Sequence, residues 1–163
     1  MAAGRSAAAL FLIALLGACS VGGGLPQPVE APGPGEITVA GAGGAPLAAS
    51  RWQAAEPRAV ILALHGYGDH AESTFSDPAA FWAERGISTV AYDQRGFGRN
   101  PSRGVWPGAE RLRQDLLAVA RELRRAKPCL PLIVLGHSMG GGVALAAGPK
   151  LAADGLILAA PAI

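Results

Sequence analysis

The chain has 163 residues, which is enough for one domain with a short N-terminal extension. Half of the residues are hydrophobic and 16% are charged, a folding composition, while 23 Gly and 13 Pro indicate many turns and some unstructured tether. The net charge is only +2, and the basic residues are scattered or lie on a helix face beside acids, which argues against a nucleic-acid-binding protein.

The first eighteen residues have the pattern of a secretory signal. Arg5 lies in a short polar start, and the apolar run 7–16 is too short for a bilayer that needs about 20 apolar residues. The run ends in Leu16-Gly17-Ala18-Cys19, where ordinary cleavage after Ala18 favours a small residue in place of Leu16. This ending resembles the lipobox of bacterial lipoproteins.

The lipobox resemblance implies cleavage before Cys19 and lipid attachment to its thiol. Several acyl chains on one residue give stable membrane anchoring, so we predict a lipoprotein of the bacterial cell envelope, facing the periplasm or the exterior. The alternative is a plain secretory signal with an incidental cysteine. Only two cysteines are present, so a lipidated Cys19 leaves Cys129 without an intrachain disulfide partner.

Residues 19–35 are rich in Gly and Pro and have no apolar periodicity, which predicts a flexible tether between the lipid anchor and the domain. Residues 36–163 then alternate apolar strands with amphipathic helices, a pattern typical of an α/β fold whose mostly parallel sheet has helices on both faces. In chain order we predict strands at Ile37–Ala40, Leu47–Gln53 and Ala59–Leu64, a helix at Asp77–Arg85, a strand at Ile87–Tyr92, a helix at Ala109–Lys127, a strand from Leu130 to Leu135, a helix after Ser138 and a strand at Leu156–Ala159.

The sequence Gly136-His137-Ser138-Met139-Gly140 lies between an apolar strand and a run of small, helix-compatible residues. A strand that turns sharply on a serine into a helix is a nucleophile elbow, so Ser138 is the candidate nucleophile. The positive end of the helix and the Met139 N–H would lie where an oxyanion forms.

A second turn, His65-Gly66-Tyr67-Gly68, follows the apolar strand Ala59–Leu64. Backbone N–H groups at such a strand end suit the other half of an oxyanion hole, and we assign this donor to Tyr67. Structural hydrogen bonding is the favoured role for His65. A catalytic role for His137 is disfavoured because the residue before the nucleophile should point away from the serine Oγ.

With both motifs placed, the chain resembles the α/β hydrolases, and within them the monoacylglycerol lipase/lysophospholipase-like branch. The resemblance implies hydrolysis of a lipid-like or small acyl ester through an acyl-enzyme, with Ser138 as nucleophile and the N–H groups of Tyr67 and Met139 binding the oxyanion. It implies no cofactor and no metal ion. The matching segments are 64–70, 81–86, 92–99, 136–141 and 154–162, within which Asp69, His70, Asp93 and Arg95 are expected to structure loops near the site.

In this family the triad order is Ser, then Asp or Glu, then His. The sequence has no suitably placed acid or histidine after Ser138, since Asp154 precedes the last strand. We therefore expect a partial hydrolase domain that lacks the cap and the last strands, a possible missing C-terminal half, and at best residual activity as this chain. The alternatives are a non-catalytic membrane-tethered lipoprotein with a hydrolase-like fold, and one half of a split enzyme.

Overall fold

The computed structural model describes residues 34–163. Within that range a six-stranded sheet has the strand order β1-β2-β4-β3-β5-β6 and is accompanied by three α-helices. The elements are β1 (Gly35–Ala40), β2 (Pro46–Trp52), β3 (Ala59–Leu64), α1 (Ala71–Ala83), β4 (Ile87–Tyr92), α2 (Ala109–Ala126), β5 (Leu132–His137), α3 (Met139–Ala147) and β6 (Gly155–Ala159), with single 3-10 turns at Ala42–Gly44 and Gly148–Lys150.

Strands β4, β3, β5 and β6 are mutually parallel, whereas β1 and β2 join the sheet in antiparallel fashion. This confirms the expected mostly parallel α/β sheet. The register pairs Leu64, the last residue of β3, with Gly136 near the end of β5. Because parallel strands end at the same edge of a sheet, the turns that follow β3 and β5 are brought side by side.

Helices cover both faces of the sheet, and β3 shows how the sequence divides between them. Its alternate residues Ile61 and Ala63 face α1, whereas Leu62 and Leu64 face α2 and α3. Both sets are buried, which explains why this strand has no polar alternation in its sequence.

The helix predicted at Asp77–Arg85 was placed wrongly at its start, because α1 begins six residues earlier at Ala71. His70 caps the helix through Nδ1, which accepts from the Ser73 N–H at 3.3 Å. The distant Asp93 carboxylate accepts from the Ala71 N–H at 2.8 Å, a stabilising contact that local sequence does not reveal. Pro78 therefore lies inside the helix and not at its first turn.

The remaining elements agree with the predictions to within a few residues. The helix predicted at Ala109–Lys127 is confirmed as α2, and its apolar face, which includes Leu112, Leu116 and Val119, is buried against the sheet. Strand β5 begins at Leu132 instead of Leu130, since Pro131 has no N–H to donate to the ladder. The outer strand β6 leaves Leu156 and Ile157 39% and 48% exposed.

Candidate active site

Ser138 occupies the sharp turn between β5 and α3. Its backbone has φ 51° and ψ −117°, a conformation that L residues adopt at a cost of about 1–3 kcal/mol. The side chain is half-buried at the start of α3, close to the positive end of the helix dipole. This is the geometry predicted for a nucleophile elbow.

The two glycines that flank the serine are required by close packing. A Cβ on Gly136 would lie 2.5 Å from the Gly140 oxygen, and a Cβ on Gly140 would lie 2.5 Å from the Leu64 oxygen. Contacts this short are well inside the normal separation of about 3.5–4.0 Å between carbon atoms. The absence of side chains at these two positions therefore lets α3 start directly against β3 and β5.

Hydrogen bonds with β6 and with the segment after it hold the strained serine in place, a role that the sequence did not suggest. The Ser138 N–H donates to the Ala159 oxygen at 2.9 Å, and the Ala162 N–H donates to the Ser138 oxygen at 2.9 Å. The same Ser138 oxygen accepts from the Gly141 and Gly142 N–H groups at 2.9 and 3.1 Å. The backbone of Ser138 is thus fixed from both directions.

The turn after β3 lies against the elbow, as the register of β3 and β5 requires. A Cβ built on Gly66 would be 3.4 Å from Ser138 Cβ and 3.3 Å from His137 Nδ1, so only glycine lets the two turns pack this closely without adjustment. The next residue, Tyr67, carries one assigned oxyanion donor, and Met139, the first residue of α3, carries the other. Within residues 34–163, neither the Tyr67 N–H nor the Met139 N–H donates a hydrogen bond to a backbone oxygen of a turn or loop.

His65 is wholly buried and both of its ring nitrogens are engaged. Nδ1 lies 2.7 Å from the Gly66 oxygen, and Nε2 accepts from the Gln94 N–H at 2.9 Å. Burial lowers the pKa of His65, which keeps the ring neutral at pH 7. This agrees with the structural role that the sequence favoured over a catalytic base.

The carboxylates expected to structure the loops do so. Asp93 is wholly buried and accepts from the Ala71 N–H and from the Arg99 N–H and Nε at 2.8, 2.8 and 3.0 Å. Burial opposes ionisation of Asp93, but these hydrogen bonds prevail and lower its pKa. Asp93 therefore joins the loop after β4 to the start of α1.

Asp69 and Arg95 stabilise neighbouring segments in the same way. Burial opposes ionisation of Asp69, but hydrogen bonds from Ser73 and Thr74 lower its pKa to about 2. Arg95 makes a bidentate ion pair with the buried Asp115 of α2, with N–O distances of 2.8 and 2.9 Å. These contacts fix the surroundings of the turn after β3 and of the loop after β4.

The sequence did not reveal an aromatic cluster beside the oxyanion turn. The Tyr67 ring packs edge-on against Phe97 at 5.3 Å between centroids, and Trp106 lies 6.4 Å from both rings. Tyr67 and Trp106 are 74% and 56% exposed, so the cluster presents an apolar surface next to the site. A cavity of about 390 Å³ adjoins it, lined by residues 67–70, 96–99 and 103–104.

With this geometry established, comparison with known proteins identifies the family. The model of the family described as serine aminopeptidase, S33, matches residues 55–163. The chain belongs to this family of α/β hydrolases. Its relatives include a monoacylglycerol lipase from Mycolicibacterium smegmatis, 32% identical over 78% of this chain and 47% of the relative.

Two further similar proteins are also monoglyceride lipases. The monoglyceride lipase of Rattus norvegicus is 29% identical over 66% of this chain and 36% of its own length. A soluble variant of the Saccharomyces cerevisiae monoglyceride lipase, solved with a substrate analogue, has a TM-score of 0.68 and 27% identity over 83% of this chain. The chain spans less than half the length of the curated relatives it matches, 47% and 30% for the first two.

The predicted signal at residues 1–18, the predicted lipidation site at Cys19 and most of the predicted tether at residues 19–35 lie outside the described residues. Across residues 34–163, no helix is both long and apolar enough to cross a bilayer. The same part of the chain contains no cluster of His, Cys, Asp and Glu side chains arranged to hold a metal ion.

Proposed function

We propose that the protein is a serine ester hydrolase that acts through an acyl-enzyme, with Ser138 as the nucleophile. The observation that carries the proposal is the packing of Gly66 on Ser138, which puts the oxyanion turn against the elbow. Ser138 Oγ attacks the ester carbonyl carbon, and the N–H groups of Tyr67 and Met139 bind the oxygen that becomes negative. The base of the complete triad takes the Oγ proton and passes it to the ester oxygen, which leaves as the alcohol as its bond to the acyl carbon breaks. Water then hydrolyses the acyl-enzyme, which releases the carboxylic acid and restores the Ser138 hydroxyl.

The substrate class we propose is a glycerol monoester of a fatty acid or a similar lipid-like ester. The support is the family membership and the monoacylglycerol lipases among the relatives. The aromatic cluster of Tyr67, Phe97 and Trp106 beside the oxyanion turn, in which Tyr67 and Trp106 are exposed, suits an acyl chain.

The triad's acid and histidine, in this proposal, lie outside residues 34–163. Of the histidines in that range, His65 has both ring nitrogens engaged with backbone groups. His70 caps α1, and His137 lies within β5 immediately before the nucleophile. A positioned general base contributes about 10²–10⁴-fold, so we expect the 163-residue chain alone to show at most residual turnover of p-nitrophenyl esters.

The test compares the 163-residue chain with the same chain extended by any in-frame or frameshifted reading frame that sequencing of the DNA after codon 163 finds. We expect a fluorophosphonate probe to label the longer protein, and Ser138→Ala to abolish labelling. Ser76→Ala is the matched control, because the Ser76 hydroxyl only donates to the Glu72 carbonyl within α1. Labelling that survives in Ser138→Ala would refute the assignment of the nucleophile.

The same experiment separates the alternatives. A longer protein that is folded but neither labelled nor active supports a non-catalytic lipoprotein with a hydrolase-like fold. Turnover that appears only when a separate polypeptide is added supports a split enzyme. Within residues 34–163 β6 pairs with β5 alone, so its outer edge is where a further strand of such a partner would pair.

We propose further that the protein is anchored in the bacterial cell envelope through lipidated Cys19. The sequence Leu16-Gly17-Ala18-Cys19 supports this, together with the Gly- and Pro-rich segment that follows. Cys19→Ala should release the protein from the membrane fraction, while Cys129→Ala should leave it bound because Cys129 lies in the domain and is exposed. Unchanged partitioning of Cys19→Ala contradicts the anchor.

A further inference from the structure

The tautomer of His65 follows from its partners. The Gln94 backbone N–H can only donate, so Nε2, which lies 2.9 Å from it, is the accepting nitrogen. A neutral imidazole then carries its proton on Nδ1, and that proton points to the Gly66 oxygen 2.7 Å away. The ring has no exposed surface, so water does not compete for this bond.

The Gly66 oxygen belongs to the same peptide group as the Tyr67 N–H. All peptide bonds in residues 34–163 are non-cis, so this carbonyl and this N–H point in opposite directions. Holding the carbonyl therefore sets the direction of the N–H. The peptide follows a glycine, which has the least steric resistance to rotation, and a rotated peptide would present an oxygen where the oxyanion needs a donor.

We propose that His65 is a positioning residue of the oxyanion hole, which aims the Tyr67 N–H by holding the Gly66 carbonyl through Nδ1–H. The proposal rests on the assignment of Ser138 and Tyr67 in the proposed function. His65 is itself fixed at a third point, because Gln94 Nε2 donates to the His65 oxygen at 2.7 Å. The Phe97 ring lies edge-on to the imidazole at 5.8 Å between centroids and helps to enclose it.

A pair of variants separates this role from general support of the fold. His65→Asn keeps an N–H donor at the position of Nδ1, whereas His65→Leu has none; both lose the acceptor for the Gln94 N–H. The readout is the rate of fluorophosphonate labelling of Ser138 in the protein with its complete triad, since phosphonylation also develops charge on an oxygen in the oxyanion hole. We expect His65→Leu to be slower by about tenfold or more and His65→Asn to stay within about threefold of the parent.

Asn100→Leu is the structural control. Asn100 Nδ2 donates to the Asp93 and Gln94 oxygens, and its side-chain oxygen accepts from the Ala48 N–H, so the variant loosens the neighbouring loop without removing the bond to Gly66. A comparable fall in Tm for Asn100→Leu and His65→Leu, with a large loss of labelling rate only in the latter, is expected. Equal labelling rates in His65→Leu and His65→Asn would overturn the positioning role.

A second measurement does not depend on how the variants fold. Long-range 1H–15N spectra of the unsubstituted protein distinguish a protonated ring nitrogen from an unprotonated one, and we expect His65 to carry its proton on Nδ1 at pH 7. A proton on Nε2 overturns the proposal even if Ser138 is labelled. Absence of labelling in the parent, with Nδ1 protonated, would instead refute the proposed function.

Discussion

Gly140→Ala tests whether the close contact between α3 and β3 sets the distance between the two proposed oxyanion donors, the N–H groups of Met139 and Tyr67. The new Cβ would lie 2.5 Å from the Leu64 oxygen and 2.7 Å from the His65 oxygen, both backbone atoms that cannot rotate away. Restoring normal contact requires α3 to move about 1 Å from β3. That movement separates the Met139 N–H from the Tyr67 N–H, and a misplacement of this size can lower the rate about 10²-fold.

The assay is fluorophosphonate labelling of the protein with its complete triad, combined with urea unfolding. Overpacking of this kind should also lower the free energy of unfolding by about 1–3 kcal/mol. Gly35→Ala is the matched control, because a Cβ there meets only the Arg51 oxygen at 3.7 Å. A labelling rate for Gly140→Ala within about twofold of the parent would refute the argument that this contact sets the geometry.

Three further changes test other parts of the site. Ser138→Gly should be about 1 kcal/mol or more stable than Ser138→Ala by urea unfolding, because only Gly relieves the strain at φ 51°; equal stabilities contradict stored strain. Tyr92→Phe should be neutral or about 1 kcal/mol stabilising in the same assay, because the buried hydroxyl has no hydrogen-bond partner within residues 34–163; a loss above 1 kcal/mol reveals a missed partner. Hydrogen bonds from Ser73 and Thr74 outweigh burial and lower the pKa of Asp69 from 3.8 to about 2, so its ionised form stabilises the fold above about pH 4 and this contribution is lost as the pH falls towards 2. Asp69→Asn should therefore flatten the fall in urea midpoint over that pH range, and an unchanged slope rules out this contribution.

The strands were predictable because their burial leaves a direct signal in the sequence. Ala59–Leu64 and Ile87–Tyr92 match β3 and β4 residue for residue, since both lie in the middle of the sheet and are almost wholly buried. The α2 helix was predictable for a related reason. Its apolar residues recur on one face, and that face is buried.

The start of α1 was missed, because one of the two side chains that stabilise it is distant in the sequence. Its first N–H groups are bound by His70 and by Asp93, which lies 22 residues further along the chain. Pro78 favours a helix that begins just before it, because proline is common in the first turn of a helix. Nothing local in the sequence reveals a carboxylate that folds back from the next strand.

Part of the candidate site was likewise predictable from the sequence and part was not. Ser138, Tyr67 and Met139 follow from motifs, because a sharp strand-to-helix turn demands small residues at fixed positions around the serine. The orientation of the Gly66–Tyr67 peptide does not follow from motifs. It depends on the hydrogen bond from His65 Nδ1–H to the Gly66 oxygen, and the proton lies on Nδ1 because Nε2 accepts from Gln94, 29 residues away. Motifs thus predict which groups meet, and tertiary hydrogen bonds decide where those groups point.

The elbow also depends on residues that come more than twenty positions after it in the sequence. Ser138 is held in a disfavoured conformation, and a strained residue persists only where its surroundings over-determine it. Those surroundings are β6 and the segment after it, through the bonds of Ser138 with Ala159 and Ala162. A domain shortened before β6 would keep the Gly-x-Ser-x-Gly sequence and lose two of the bonds that impose its geometry. The geometry of the elbow is therefore a property of three neighbouring strands, β3, β5 and β6, rather than of the pentapeptide alone.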